Sequence, residues 1–330
     1  MKRMRPSTVL VLAAVLTAAG FGLFRAVLEA QGHRDTCDRA CLNGHMDRYL
    51  TALIARDPSK VPTTSTVRFT ENSKTLRLGE GAWKTATELG TFRIEFADVQ
   101  EGQAGFIGVL QEGAKSTMLA VRLKVVSQRI AEVETILARV SLGGESDLAP
   151  GKLTTGRPAW ERIVPVSERS PRREMITVAN SYYEGIGVAK SDITKFADDC
   201  HRIENGVALV NNPNFDYGFT SPSGKKVPNF GAMGCREQFN THIWETDVVD
   251  HRRYSVIDEE RGLVWAFSSY HGHAKKKCAD VVGFGPVCGG PPAAQSSTLD
   301  LVELFKIRNG LIHEMESVWT VLPAGVKPAW

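Results

Sequence analysis

The chain has 330 residues, with 40 basic and 37 acidic side chains and a net charge of +3 at neutral pH. Its hydrophobic share of 42% and charged share of 23% are ordinary for a globular protein, so a chain of this length can bury the cores of two domains. The even charge balance, without a basic run interleaved with aromatic residues, argues against a nucleic-acid partner.

The first thirty residues have the layout of an export signal. MKRMR supplies positive charge, and the apolar run STVLVLAAVLTAAGFGLF at 7–24 is followed by a small-residue site near 28–30. This layout is typical of a secretory signal peptide over 1–30. The run is also close to the shortest length that spans a bilayer, so an uncleaved N-terminal anchor stays open. In both cases we expect the rest of the protein outside the cytoplasm, secreted or periplasmic, and attached to a membrane only through this segment.

An even number of cysteines fits that compartment, because disulfide bonds persist in oxidising environments. Proximity in sequence favours the pairs Cys278–Cys288 and Cys200–Cys235, which leaves Cys37 to pair with Cys41. A bridge between residues four apart needs distorted geometry inside a helix. Other connectivities therefore stay open.

The first half of the chain predicts an α+β domain over 31–142, which we expect to be mainly structural. A helix begins at RACLNGHM and is broken at RDPS, and RIAEVETILARV closes the unit with alternating apolar residues. Four strands are predicted between them, at 66–72, 92–99, 104–112 and 117–127. The stretch 143–171 is rich in Gly, Pro and Ser and is typical of a linker.

The second half, 172–330, is written as an expanded copy of the first. LVELFKIRNGLIHEMESVW at 301–319 matches LAVRLKVVSQRIAEVETIL at 119–137. The separation between matching residues grows from 133 at Glu71 and Glu204 to 182 at Lys124 and Lys306, so the second copy has about fifty additional residues. Long insertions in a compact domain are typical of binding loops. The repeated glutamates of the closing strands, Glu132 and Glu134 in the first copy and Glu314 and Glu316 in the second, are expected at an exposed face or a domain interface.

The second copy also concentrates histidine and aromatic residues on two predicted strands. Alternation places Trp265, Phe267 and His271 on one face of the first strand. It places His313, Met315 and Trp319 on one face of the second strand. We expect the two stretches to line one mostly apolar pocket with a few polar groups. The first copy has Ala131 and Leu137 in place of His313 and Trp319, which indicates a filled interior there.

The order of a helix, a short helix, a strand and then long antiparallel strands resembles the nuclear transport factor 2-like (SnoaL-like) superfamily. The resemblance is carried by YLTALIARD at 49–57, KFADDCHRIENG at 195–206 and ELFKIRNGLIHEMESVW at 303–319. It is most specific to a tandem-domain secreted family of unassigned function. It implies two tandem cone-shaped α+β half-barrels, each a curved antiparallel sheet packed on helices, in a pseudo-dimeric arrangement. The protein would be a monomer or a homodimer.

The resemblance also indicates positions for a catalytic set. The base of ketosteroid-isomerase-like members falls at Glu71–Asn72 in the first copy and at Glu204–Asn205 in the second. A second pocket acid falls on Glu303, where the first copy has Val121. Neither copy reproduces the whole set. The superfamily generally works without a metal ion, so no metal and no cofactor are expected, although HGH at 271–273 with His313 or His242 is a conceivable metal site.

These observations predict a small-molecule pocket in the second domain for a small, largely apolar molecule. It would belong to a cofactor-independent lyase, isomerase or hydrolase that uses acid–base chemistry. The alternative is a non-catalytic small-molecule-binding or structural secreted module, and whether the protein is an enzyme is left open. The candidate catalytic residues are Glu204, His313 and His271 for proton transfer, and Tyr183 and Tyr254 for the oxyanion. The candidate ligand-binding residues are Asn205, His201, His242, Trp265, Phe267, Glu303, Met315 and Trp319.

Overall fold

The computed structural model describes residues 37–139, 153–188, 192–243, 248–271, 278–289 and 297–330. The predicted export segment at 1–30 and the first part of the predicted linker, at 143–152, lie outside the described residues.

The described part of the first half, 37–139, forms one α-helix and a six-stranded sheet. Helix α1 spans Arg39–Ala55 and begins where the Asp38 side chain accepts a hydrogen bond from the backbone of Cys41, at 2.9 Å. The strands lie in the order β2-β1-β6-β5-β4-β3, with β1 parallel to β6 and the other neighbours antiparallel. The strand bounds are β1 Thr63–Glu71, β2 Lys74–Leu76, β3 Glu88–Asp98, β4 Gln103–Glu112, β5 Lys115–Val126 and β6 Arg129–Ala138.

The second half repeats this strand order. Helices α2, Arg172–Val188, and α3, Cys235–Asn240, accompany a six-stranded sheet and a separate two-stranded hairpin. The sheet order is β8-β7-β14-β13-β10-β9, again with the first long strand parallel to the last. The strand bounds are β7 Phe196–Glu204, β8 Val207–Ala208, β9 Val248–Asp258, β10 Leu263–His271, β11 Cys278–Val281, β12 Gly285–Cys288, β13 Ser297–Arg308 and β14 Leu311–Pro323.

Both sheets are mixed, so the expectation of wholly antiparallel sheets is wrong. The strand that follows the first helix of each unit pairs in parallel with the last strand, and this pairing closes each repeat. The two similar sheet domains agree with the duplication inferred from 119–137 and 301–319.

One face of each sheet packs on the helix that precedes it. In the first unit, α1 contributes Leu42, Met46, Tyr49, Leu50 and Leu53 to a core shared with the sheet. In the second unit, the corresponding core joins α2, through residues that include Tyr182 and Tyr183, to Phe305, Met315 and Trp319 of the sheet. Burial of these faces stabilises the two helices, since tertiary packing contributes more to the stability of short helices than intrinsic propensity does.

The opposite faces of the two sheets pack on each other through a third core. Trp265 of β10 meets Phe96 of β3 edge to face, with ring centroids 4.9 Å apart, and Trp160 of the connecting segment is buried in the same layer. We call this cluster the intersheet core. Its residues are Phe92, Ile94, Phe96, Ile107, Val109, Met118, Ala120, Ile136, Ala138, Trp160, Val256, Leu263, Trp265, Phe267, Val302, Leu304 and Val318.

The intersheet core corrects the predicted pocket lining. Trp265 and Phe267 lie in this core and therefore point away from α2, whereas Met315 and Trp319 pack on the α2 side. Residues alternate along each strand as predicted, but the pocket residues predicted on β10 and those predicted on β14 lie on opposite faces of the sheet. Alternation within a strand fixes which residues share a face and says nothing about which face a neighbouring strand presents to the helix.

Charged side chains surround the intersheet core and also join the two units. Arg172 at the start of α2 pairs with Asp98 at the end of β3, with 2.5 Å between Nη2 and Oδ2. Arg253 of β9 pairs with Glu134 of β6, one of the repeated glutamates. The repeated glutamate Glu314 pairs with Arg157 of the connecting segment, 2.6 Å away. These glutamates therefore take part in the domain interface, one of the two placements expected.

Three disulfide bonds confirm the favoured pairings: Cys37–Cys41, Cys200–Cys235 and Cys278–Cys288. The first is accommodated because Cys37 lies before α1, so its backbone is not constrained to helical geometry. Disulfides at this density are typical of an oxidising, extracytoplasmic environment. Within the described ranges, each helix is too short or too polar to traverse a bilayer.

Replacing Trp265 by alanine tests the intersheet core. We expect the free energy of unfolding to fall by about 3–5 kcal/mol, because the change leaves a large cavity between the sheets. Urea denaturation followed by fluorescence and circular dichroism measures it. Val166→Ala is the control, since Val166 is 79% exposed, and its effect should stay within about 0.5 kcal/mol. A loss below 1 kcal/mol for Trp265→Ala would contradict the packing described.

Candidate functional site

A buried carboxyl group lies at the centre of the second unit. Glu303 of β13 is 1% exposed and lies opposite Ala266 of β10 and Ser317 of β14. Its two carboxyl oxygens accept hydrogen bonds from Ser317 Oγ, at 3.3 Å, and from the Tyr270 hydroxyl, at 3.4 Å. Both bonds are long, so the carboxyl group is only weakly satisfied in the interior.

Two further tyrosines approach Glu303 from α2 and β9. The Tyr183 hydroxyl lies near the Glu303 carboxyl and lowers its pKa, yet it completes no hydrogen bond of regular geometry with any described residue. The Tyr254 hydroxyl donates to Asn180 of α2 at 2.6 Å. Burial raises the pKa of Tyr183 and of Tyr254 above the ordinary value, so both hydroxyls stay protonated donors near neutral pH.

Burial raises the pKa of Glu303 to about 8. This net value also includes a lowering of the pKa by Tyr183, Arg202 and Ser317 and a raising by the nearby Glu204. A carboxyl group with such a pKa changes its protonation state near neutral pH, so both its acid form and its base form are accessible there.

A charged pair lies beside this carboxyl group. Arg202 of β7 is 2% exposed, and its Nε is 3.3 Å from Oε1 of Glu204. The indole Nε1 of Trp319 donates to Oε2 of Glu204 at 3.0 Å. The predicted residues Glu204, Trp319 and Glu303 are therefore brought together, and Met315 packs in the same core.

The first unit has an apolar interior at the equivalent positions. Val121 stands in place of Glu303, and its partner on the neighbouring strand is Phe106, where the second unit has Ala266. Trp83 and Tyr49 fill the space beneath α1, edge to face with centroids 5.4 Å apart. The small Ala266 therefore lies opposite Glu303 where the larger Phe106 lies opposite Val121 in the first unit.

The asparagine of the repeated Glu-Asn pair has the same structural role in both units. Asn205 has a φ of 46° and is bonded through its amide to both backbone groups of Trp319, at 3.0 and 3.1 Å. Asn72 has a φ of 50° and makes the same two bonds to Leu137. The candidate ligand-binding role of Asn205 is corrected accordingly: its side chain holds a left-handed turn against the last strand, as asparagine often does.

The predicted histidines are not brought to Glu303. His313 Nδ1 is 2.6 Å from Asp199, and His313 lies four residues along β14 from Ser317, roughly 13 Å away. His271 lies five residues from Ala266 at the other end of the sheet and bonds Asp250. His201 alternates with the buried Arg202 and so has the opposite face of β7. His242 follows α3 in a left-handed conformation. A pocket that unites His271, His313 and Glu303 is therefore excluded by their spacing.

Sequence analysis missed three members of the cluster: Tyr270, Ser317 and Arg202. Alternation assigned Tyr270 to the face opposite His271, and that face proved to be the one beneath α2. Ser317 lay between two predicted pocket residues, Met315 and Trp319. The order Cys200, Arg202 and Glu204 places an arginine on the buried face of β7, a signal that could have been used.

The carboxyl group predicts a pH dependence of stability. Since burial raises the folded-state pKa of Glu303 above its unfolded value of about 4.5, the folded state holds more protons between about pH 4.5 and 8, and stability falls as pH rises through that window. We expect Glu303→Gln to remove this pH-dependent loss of stability, which is on the order of a few kcal/mol at pH 8 and above. Burial also raises the pKa of Glu316 and of Asp300, so the measured quantity is the difference between variant and native protein.

Urea denaturation at pH 5, 7 and 9 provides the measurement. Glu88→Gln removes an exposed carboxylate and should leave the pH dependence of the native protein in place. An identical pH dependence for Glu303→Gln and the native protein would show that the carboxyl group is not held in its neutral form.

Comparisons with known proteins give little beyond a domain assignment. Residues 168–319 match a family model described as "Domain of unknown function (DUF8021)", which spans α2 and the strands that carry the Glu303 cluster. No curated protein matches. Among solved structures, PrhC from Penicillium brasilianum NBRC 6234 is 12% identical and matches 46% of this chain and 83% of its own, with a TM-score of 0.23. That score is too low to carry an inference, and the chain is similar to the DUF8021 domain over its second unit.

Proposed function

We propose that this is an exported protein whose second unit is a cofactor-independent acid–base enzyme acting on a small, largely apolar molecule. The single observation that carries the proposal is the buried carboxyl group of Glu303, set among tyrosine hydroxyls with a pKa raised to about 8. Glu303 takes the proton-transfer role predicted for Glu204, His271 or His313, because those residues are either engaged or distant.

The reaction class follows from the two kinds of buried group, a carboxyl and a tyrosine hydroxyl. Ionised Glu303 accepts a proton from a carbon next to a carbonyl group, and the neutral acid returns it to the same or a neighbouring carbon. Tyr183, protonated and without a completed hydrogen bond, donates to the oxygen on which negative charge develops. Phe305, Met315 and Trp319 supply apolar surface for the rest of the ligand.

The finer fold assignment is part of this proposal. A helix packed on one face of a mixed sheet, with the first long strand beside the last, supports a nuclear transport factor 2-like (SnoaL-like) unit in each half. The intersheet core supports a pseudo-dimeric arrangement within one chain. Three disulfides support export to an oxidising compartment.

Deuterium exchange tests the proposed chemistry. A panel of small cyclic ketones is incubated with the native protein in D₂O, and deuterium at the carbon next to the carbonyl is followed by NMR. We expect exchange with at least one ketone, rising with pH towards about 8 as Glu303 ionises. Glu303→Gln should slow it by roughly 10²–10⁴-fold and Tyr183→Phe by roughly 10²-fold.

Two variants away from Glu303, one in each unit, are matched controls for that experiment. Tyr49→Phe removes a buried hydroxyl beneath α1, and His313→Ala removes a histidine distant from Glu303. Both should leave the exchange rate unchanged. Exchange that survives in Glu303→Gln at the native rate would refute the assignment of the proton-transfer group.

A non-catalytic module that binds a small molecule is the second candidate. The observation in its favour is that Glu303 and Tyr183 are closed from solvent, at 1% and 0% exposure. Such a protein would bind ketones of the panel without exchanging their protons, and Glu303→Gln would change affinity but not isotope content.

A further inference from the structure

A second cluster of polar side chains lies apart from Glu303, where β9 and β10 end. His271 Nε2 is 2.9 Å from Asp250 Oδ1, and His251 Nε2 is 3.7 Å from the same oxygen. The two imidazole rings meet edge to face with centroids 6.4 Å apart. One ligand atom from each residue lies within 4.8 Å of the other two.

The backbone of His251 is held in an uncommon conformation to make this cluster. His251 has a φ of 52°, and it is the one non-glycine residue with positive φ inside a strand of the described chain. The pairing of β9 with β10 shifts at this point, because Arg253 lies opposite Phe267 and Asp250 lies opposite Ser269. Because of this bulge, the consecutive side chains of Asp250 and His251 both lie beside His271. Left-handed histidine costs of order 1 kcal/mol or more and often marks a functional site.

His271 is oriented by a buried hydroxyl. Its Nδ1 is 3.1 Å from Oγ1 of Thr298, and Thr298 is 1% exposed. When Nδ1 donates to this oxygen, Nε2 carries the lone pair and can bind a cation that lies between it and the Asp250 carboxylate. Metal-bound histidines are held in the same manner, with the second ring nitrogen donating to a fixed acceptor.

We propose that Asp250, His251 and His271 bind a divalent transition-metal ion. Three protein ligands around a tetrahedral ion with bonds of about 2.0–2.1 Å lie roughly 3.3 Å apart, and the distances of 2.9 and 3.7 Å lie on either side of that value. Two imidazoles and one carboxylate suit zinc or iron(II) rather than calcium or magnesium, which prefer oxygen ligands. The side chains are 26–42% exposed, so the remaining position is open to water.

The proposed ligand set differs from the one conceived from sequence, since His313 and His242 are not part of it and His273 lies outside the described residues. The other described group of three potential ligands, Cys37, Cys41 and His45, has its two sulfurs joined in a disulfide. His313 and Asp199 form a similar imidazole–carboxylate pair at 2.6 Å. That pair is absent from the described three-ligand groups, which makes it a matched control for unspecific metal uptake.

Calorimetric titration of the untagged full chain with zinc sulfate tests the proposal, after dialysis against EDTA with the disulfides intact. We expect one equivalent to bind at micromolar concentration, and cobalt(II) to give the visible absorption of a tetrahedral site. His271→Ala, His251→Ala and Asp250→Asn should each weaken zinc binding about 100-fold or more. Thr298→Val should weaken it about 10-fold by releasing the His271 ring.

His313→Ala should leave zinc affinity and stoichiometry unchanged. Circular dichroism of each variant shows whether the fold persists, and Thr298→Val keeps all three ligands if a ligand variant fails to fold. No zinc binding at micromolar concentration, or binding that survives unchanged in His251→Ala and His271→Ala, would overturn the proposal. Equal binding of magnesium or calcium would also overturn the assignment of a transition metal.

Discussion

Contact between the two sheets determines which face of each sheet is free to pack on a helix. A six-stranded sheet has two faces, and in each unit one of them is committed to the intersheet core around Phe96 and Trp265. Only the other face remains to pack on a helix. The interior beneath the helix can therefore enclose polar groups without disturbing the contact between units. That interior holds Glu303 in the second unit.

The two units show how one backbone plan can serve two purposes. The turn after the first long strand is retained in both units. Asn72 and Asn205 lie in this turn and make the same pair of hydrogen bonds to the last strand. The interior is not retained, since Val121 and Phe106 are replaced by Glu303 and Ala266. Exchanging a large apolar side chain for a small one beside a carboxyl group preserves the strand pairing and alters only the chemistry of the interior.

Sequence alone predicted the duplication, the disulfide pairings and several members of the buried cluster. The duplication and the disulfide pairings rest on local or repeated signals, namely the echo of 119–137 in 301–319 and cysteines close in sequence. The pocket acid at Glu303, where the first copy has Val121, was implied by the family resemblance. No local signal shows which face of a strand packs on the helix, because that choice depends on the sheet that covers the other face. Trp265 and Phe267 were predicted to line a pocket for that reason, and Tyr270 was missed. The cluster at His251 depends on a bulge in β9, which alternation along a strand does not reveal.

The intersheet core also constrains how the protein is made. The apolar face formed by Phe92, Ile94 and Phe96 of the first unit is covered by β9, β10, β13 and β14, whose residues are synthesised more than a hundred positions later. Until those strands emerge, the first unit carries an uncovered hydrophobic surface that favours association with other chains. Duplication within one chain keeps the correct partner tethered at high effective concentration.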